Sequence, residues 1–435
     1  MLILPYKFKQ LQNKKALYLL IAANAVSGFA QGISMLAIPW YFSDVLHSSS
    51  TFGIIYGATT FLTLFWGLYV GTLVDRYPRK NIFLLITLAG GLIIGSIAAI
   101  GFFLGELQIA LIGVVFCTTM FIYNVHYPTL YAFGQEITEK VNYGKINSII
   151  EVQGQATSVL SGALAAILIT GVNQEFLDDI GVGQFFHFRI AKWSLHEIFL
   201  MDASTYFIAF ILILLIKYTP VKTNNIDVGS VLNRLKQGIT FLKKVPLIFH
   251  FGVGSYAIFA MLLIHIHQLM PIYINNHLHA NSAIYAGAEM IYAVGALFSG
   301  IGIRWIFKNT NTINAIIILM TLSVIVFETL ALTQSATILL FVCFTLGLTN
   351  AGTRVLRTTY LFNHIPNHII GRAGSVFQTI NVMMRFTFIT LFSLTFFAKN
   401  SHIIWAYVIS GLFIFISLIP ILIYYKKLIN LKPDE

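Results

Sequence analysis

Long apolar runs, rather than alternation, dominate this chain. The first six are Ala16–Phe42, Phe52–Val74, Ile82–Phe103, Gln108–Phe133, Ile146–Gly171 and Ile198–Ile216. The second six are Pro246–Ile274, Ala283–Ile303, Thr312–Leu332, Ala336–Leu356, Ala373–Phe397 and Ile403–Tyr425. A helix needs about 20 apolar residues to cross the hydrocarbon of a bilayer, and each run is close to or above that length. Hydrocarbon leaves no partner for an open backbone, so runs of this kind span as helices. The pattern predicts an all-α membrane protein with twelve transmembrane helices.

Two links are long. Val172–Glu197 mixes Asp178, Asp179, Phe185, Phe186 and Trp193, which suggests a small ordered cap. Residues 219–245 are polar and basic, with a helical pattern over Val231–Lys243. They divide the chain into a lobe of residues 1–218 and a lobe of residues 246–435, six spans each. The halves also repeat. Pro39, Tyr41, Leu46, His47 and Ser50 recur at one offset as Pro271, Tyr273, Leu278, His279 and Ser282. Further on, Cys117, Thr119 and Asn124 match Cys343, Thr345 and Asn350, and Gly144, Lys145 and Ser148 match Gly371, Arg372 and Ser375. An even number of spans per repeat makes the two lobes parallel.

Composition sharpens this picture. Apolar residues are 57% of the 435 and charged residues 10%, against about 25% charged in a soluble domain. The formal charge of +11 would suggest nucleic acid in a soluble protein. Here the basic residues gather in alternate links, which is the positive-inside bias, so no nucleic-acid partner is implied. Both termini are expected in the cytoplasm. Cys117 and Cys343 fall inside apolar runs, so neither disulfide nor zinc site is expected. The basic N-terminus precedes a run too long for a signal-peptide core, so the first span is read as retained.

Candidate chemistry sits in polar faces within spans. Asn24, Ser27, Gln31 and Ser34 share a face of span 1, and Asn147, Glu151, Gln155 and Ser158 one of span 5. Gln378, Asn381 and Arg385 do so in span 11. Such faces line a water-filled path or tie helices together; three of them, two charged, favour a solute cavity that also takes in Asn124 and Gln268. A carboxyl in such a cavity can load a proton on one side and release it on the other. Glu151 is the favoured carrier, with Asp202 and His265 as further proton-coupling candidates. Glu289 and Glu328 are intramembrane acids that could instead pair with local hydroxyls or reach the surface. Arg385 either attracts an anionic or carbonyl-rich solute or neutralises Glu151. His265 and His267, two apart, point to different faces and do not form a metal pair. No phosphate-binding loop, nucleophile elbow or zinc-protease motif appears, so neither an enzyme nor an ATP-driven pump is expected, and no cofactor.

The link after span 2 reads Gly67-Leu-Tyr-Val-Gly71-Thr-Leu-Val-Asp75-Arg76-Tyr-Pro-Arg79-Lys80. Gly67 and Gly71 leave one helix face open to a close neighbour. With its charged turn, this string resembles the signature loop of the major facilitator superfamily. The resemblance implies a major facilitator fold that works by rocking of two lobes. It also implies a conformational gate of Gly67, Gly71, Asp75, Arg76, Arg79, Lys80, Glu136 and Gly371. In that gate Asp75 sits against the start of span 11 near Gly371, and Arg79 pairs with Glu136. Phe199–Phe207 and Ile365–Ser375 resemble macrolide-efflux and enterobactin-exporter relatives. Span 5 lacks the Gly-Pro signature of many drug:proton antiporters, and span 4 has Asn124 and His126 where their arginine often sits. These departures argue against carrying their proton relay over directly to this chain. The expectation is a monomeric, proton-coupled exporter of an amphiphilic organic solute in a bacterial inner membrane. An importer, a lipid transporter or a non-transporting receptor of the same fold is the alternative.

Overall fold

The computed structural model describes residues 13–139, 142–171, 189–218, 231–366 and 369–431, apart from the side chains of residues 68, 71, 72, 75, 144, 231, 232, 301 and 304. The first half comprises α1 (Lys14–Asp44), α2 (Ser49–Arg76), α3 (Arg79–Leu104), α4 (Ile109–Glu136), α5 (Tyr143–Thr170) and α6 (Leu195–Leu214). A short α7 (Val231–Lys244) leads to the second half. There follow α8 (Pro246–Asn276), α9 (Ser282–Ile306), α10 (Thr312–Leu332), α11 (Ala336–His364), α12 (Ile370–Phe392) and α13 (Ile403–Ile423). Among the described residues, 11 helices are long and apolar enough to span a membrane, and α2, at 28 residues, stands in the place of the second span. The chain is a multi-pass membrane protein.

Helix ends follow local chemistry. The Asn13 side chain accepts the amide of Ala16 at the start of α1, and its Nδ2 donates to the carbonyl of Lys217 beyond α6. Ser194 and Glu197 form a reciprocal capping box on α6. Gly105, at φ 80°, ends α3 in the left-handed region that a side chain would strain. The predicted cap over Val172–Glu197 falls mostly outside the described residues.

Two departures from the expected spans matter for the site. α11 runs eight residues past Leu356, because its extension is held by tertiary contacts. Arg357 Nη1 donates to the carbonyl of Ser255, and Tyr360 Oη donates to that of Leu428. In α8, residues His265–Leu269 form a π turn. Such a turn inserts a residue and rotates the faces that follow.

α3 packs on α6, α9 on α11, and α10 on α13, while α2 meets α12 and α5 meets α9 across the two halves. Large apolar side chains such as Phe103, Leu332 and Ile423 face outward, as lipid contact requires.

Candidate functional site

The two ends of the bundle are built differently. The end carrying Arg76, Arg79 and Lys80 is called the basic face here. On the opposite face the halves touch. Asn275 Nδ2 donates to the carbonyl of Ser43 at 2.9 Å, and Ser43 Oγ donates to that of Pro271. Ser43 and Asn275 are equivalent positions of the internal repeat, so the repeated segment meets its own copy. Trp40 stacks on Tyr285 with ring centroids 5.7 Å apart, and the hydroxyls of Thr170 and Ser282 are 2.5 Å apart. On the same side a Cβ at Gly162 of α5 would lie 3.0 Å from the carbonyl oxygen of Ala286 in α9.

Toward the basic face the halves part. α2 and α12 touch from Gly53 near Ser393 to Phe61 against Phe386, with centroids 5.1 Å apart. Beyond that they diverge. A Cβ at Gly67, Gly154, Gly300, Gly371 or Gly374 would meet nothing within 4 Å. Among the described residues, the close neighbour expected at Gly67 is therefore not there. Besides Gly162, backbone-to-backbone approach of the kind small residues permit occurs within the second half. There Gly295 of α9 faces the Phe344 carbonyl of α11, and Gly347 of α11 faces Tyr292 and Ala296 of α9.

Between the halves lies a cavity of about 350 Å³. Eight helices line it: α1, α2, α4 and α5 from one half, and α8, α9, α11 and α12 from the other. Of the predicted cavity residues, Asn24, Gln31, Asn124, Gln155, Gln378 and Arg385 line it. Asn24 is fixed by two neighbours: Nδ2 donates to Gln153 Oε1, and Oδ1 lies 2.6 Å from His126 Nε2.

Three predicted cavity residues lie elsewhere. Gln268 Nε2 donates to the carbonyl of Ile389 and to Ser393 Oγ, tying α8 to α12. Asn381 Nδ2 donates to the carbonyl of Tyr256, also from α12 to α8. Asn147 lies in the first turns of α5 at the basic face and does not line the cavity. At Gln268 and Asn381 a polar side chain ties helices together.

The proton-coupling candidates also separate. Asp202 is fully buried, accepts from Ser34 Oγ at 2.7 Å, and packs α6 against α1 away from the cavity. His265 lies in the second-half core. Its Nδ1 is 3.1 Å from Tyr407 Oη and its Nε2 3.8 Å from Cys343 Sγ. Its neighbour His267 is the histidine that lines the cavity. Glu151 bridges the halves: Arg354 Nη2 of α11 lies 2.5 Å from Glu151 Oε1, and Gln155 Nε2 donates to the same oxygen at 3.3 Å. The Arg354 and Glu151 side chains are 44% and 40% exposed, which puts the bridge at the mouth of the cavity. Arg385 does not neutralise Glu151; it lies beside Tyr56 and His267.

Sequence reasoning passed over several lining residues. Glu289, one of the acids left open, faces the cavity with its Oε2 buried and unpartnered. Arg354, whose charge matches the basic links at the ends of the spans, also lines the cavity. Tyr56, Tyr123, Tyr127 and Tyr292 supply aromatic walls. Asn350, which donates to Tyr292 Oη at 3.0 Å, was within reach: the repeat pairs it with Asn124, and both line the cavity.

At the basic face, Arg79 Nη1 lies 3.5 Å from Glu136 Oε2. Lys80 Nζ donates to the carbonyls of Leu214 and Ile216, capping the end of α6. Arg76 is exposed. Gly71 and the Asp75 side chain lie outside the described residues, and with them the contact of Asp75 near Gly371.

Comparison with known proteins follows the same lines. No curated protein matches the chain. The chain is similar in structure to a bacterial homologue of the human lysosomal transporter Spinster, solved inward-facing and unoccupied. The TM-score is 0.70 at 11% identity, over 96% of this chain and 98% of that one. It is also similar to a D-xylose–proton symporter, with TM-score 0.68 and 11% identity over 94% and 97% of the two chains. The nucleoside transporter NupG gives 0.65 and 11% over 94% and 99%. At this identity the likeness speaks for the fold alone. The sequence itself matches the Major Facilitator Superfamily model over residues 20–389. With eight helices of two repeated halves around one cavity, the chain belongs to the major facilitator superfamily and is a membrane transporter of that family.

Proposed function

We propose that the protein exports an amphiphilic organic solute, drug-like or siderophore-like, across a bacterial inner membrane against inward proton flow. The observation that carries this reading is the cavity between the halves, sealed on one face and meeting parted helix ends on the other. On this reading residues 1–218 and 246–435 are the rocking lobes of a monomer, and residues 219–245 link them. The positive-inside bias makes the basic face cytoplasmic, with both termini there, so the conformer opens inward. Tyrosines beside amides suit a solute with apolar and polar parts. The segments Phe199–Phe207 and Ile365–Ser375 support the macrolide-efflux and enterobactin-exporter branch.

Glu151 is the proton-exchanging group of this mechanism. Ionised, it holds Arg354 across the mouth; protonated, it releases Arg354 and frees the passage. The Arg79–Glu136 pair and the Lys80 cap keep the signature loop on the first lobe, and in the opposite state Asp75 of that loop meets the second lobe near Gly371 to complete the gate.

The test uses purified protein in proteoliposomes with an imposed pH gradient and an enclosed pH-sensitive dye. Macrolides, cationic dyes and catecholate siderophores are added one at a time. Solute-dependent proton flux that is lost in Glu151→Gln is the expected result. Tight binding of a compound with no flux would refute proton-coupled transport.

A further inference from the structure

We infer that the transported solute is an amphiphilic zwitterion, with its cationic group held by Glu289 and its carboxylate held by Arg385. The inference rests on the transport reading above and narrows its substrate class.

Both residues line the cavity, from different helices of the second half. The described residues contain two ion pairs, Arg79–Glu136 and Arg354–Glu151, and neither includes Glu289 or Arg385. A charge taken from water needs a partner, and a half-matched pair is costly. Four cavity-lining residues also carry a buried polar atom with no hydrogen-bond partner in the protein: Gln31 Nε2, His267 Nδ1, Glu289 Oε2 and Arg385 Nε. Two of these, Arg385 Nε and Gln31 Nε2, can only donate, and carboxylate oxygens accept from them. Glu289 Oε2 accepts, and an ammonium donates to it.

The two poles have different walls. Glu289 stands one turn before Tyr292, which also lines the cavity, and a tyrosine face favours a cation beside a carboxylate. Arg385 stands beside Tyr56, whose ring lies 6.0 Å from that of His267. Leu262, Leu263 and Ile266 of α8 add apolar surface to the same cavity. A solute with one charge would answer one pole and leave the other uncompensated. A zwitterion with an apolar body answers both.

The test measures binding to the purified full chain in nanodiscs with four related probes. They are the dipeptide Phe-Phe, its C-terminal amide, its N-acetyl form and its N-acetyl amide. These carry both charges, the cation only, the anion only, and neither. The expected result is that the dipeptide binds about tenfold or more tighter than each blocked form. Glu289→Gln should weaken the dipeptide and the amide and leave the N-acetyl form unchanged. Arg385→Gln should weaken the dipeptide and the N-acetyl form and leave the amide unchanged. A misfolded variant would lose all four together, so the selective pattern reports on charge. Equal binding of the four probes, no binding of the dipeptide, or equal loss of all four in a variant that keeps its melting temperature would overturn the assignment. Those outcomes leave the transport reading intact where a dye, macrolide or siderophore still drives proton flux.

Discussion

Closure of the non-basic face depends on a missing side chain at Gly162. A Cβ there would lie 3.0 Å from Ala286 O, 3.3 Å from Met290 N and 3.2 Å from Met290 Cβ. Two of these atoms are backbone and have no rotamer to escape into. Gly162→Val adds two further methyl groups at the same place. Overpacking of this kind costs about 1–3 kcal/mol. The cost falls only on the state in which α5 and α9 touch here. The equilibrium should therefore move toward the state open on this face, by roughly 5- to 150-fold. The control is Gly154→Val on the same helix, where an added Cβ meets nothing within 4 Å. Valine's lower helix preference relative to other side chains acts in both states and cancels. Spin labels at Val45, which is 44% exposed, and at exposed Lys399 report the separation of the halves on that face by pulsed dipolar spectroscopy. Gly162→Val should populate a longer distance that Gly154→Val does not. An unchanged distance distribution, with a lowered melting temperature, would mean both states absorb the clash alike. The two-state argument would then be wrong.

Two further substitutions test the packing within each half. Lys80→Met removes both hydrogen bonds to the last carbonyls of α6 and should cost about 1 kcal/mol, read as a lower melting temperature in detergent. Unchanged melting would show that the cap contributes nothing. Gly347→Ala places a Cβ 2.8 Å from Ala296 N and 3.0 Å from Tyr292 C. The gain of about 1 kcal/mol from replacing glycine in a helix does not offset an overpacking cost of about 1–3 kcal/mol at a backbone contact. The variant should melt lower and, through displaced Tyr292, bind solute more weakly, whereas Gly374→Ala should do neither.

The spans were legible because hydrocarbon imposes one length on every crossing. The polar faces were legible as faces but not by destination. A stripe at helical spacing covers an arc wide enough to touch both a cavity and a neighbouring helix. Asn24 and Gln31 take the first, while Ser34, on the same stripe, takes Asp202. Gln268 and Asn381 have the composition of cavity residues but tie α8 to α12, and only three-dimensional packing separates those uses. His265 lies against Tyr407 and Cys343 while His267 lines the cavity, and which of the two faces it depends on the packing around the π turn. Arg354 escaped notice because the charge pattern groups it with link residues, whereas α11 continues well beyond it.

The seat of α7 has one more consequence. A Cβ at Gly238 would lie 2.7 Å from the carbonyl carbon of Arg372, so α7 rests backbone against backbone on the start of α12. Only Val245 separates α7 from α8. Lys236, Lys243 and Lys244 point outward from this helix. On the proposed orientation they face the anionic headgroups of the inner leaflet, each attracted by about 1 kcal/mol. The second half thus carries a keel: a charged strut fixed to its own frame. α7 is therefore a fixed part of the second half, and a label placed on it reports the position of that half rather than of the connection between the two.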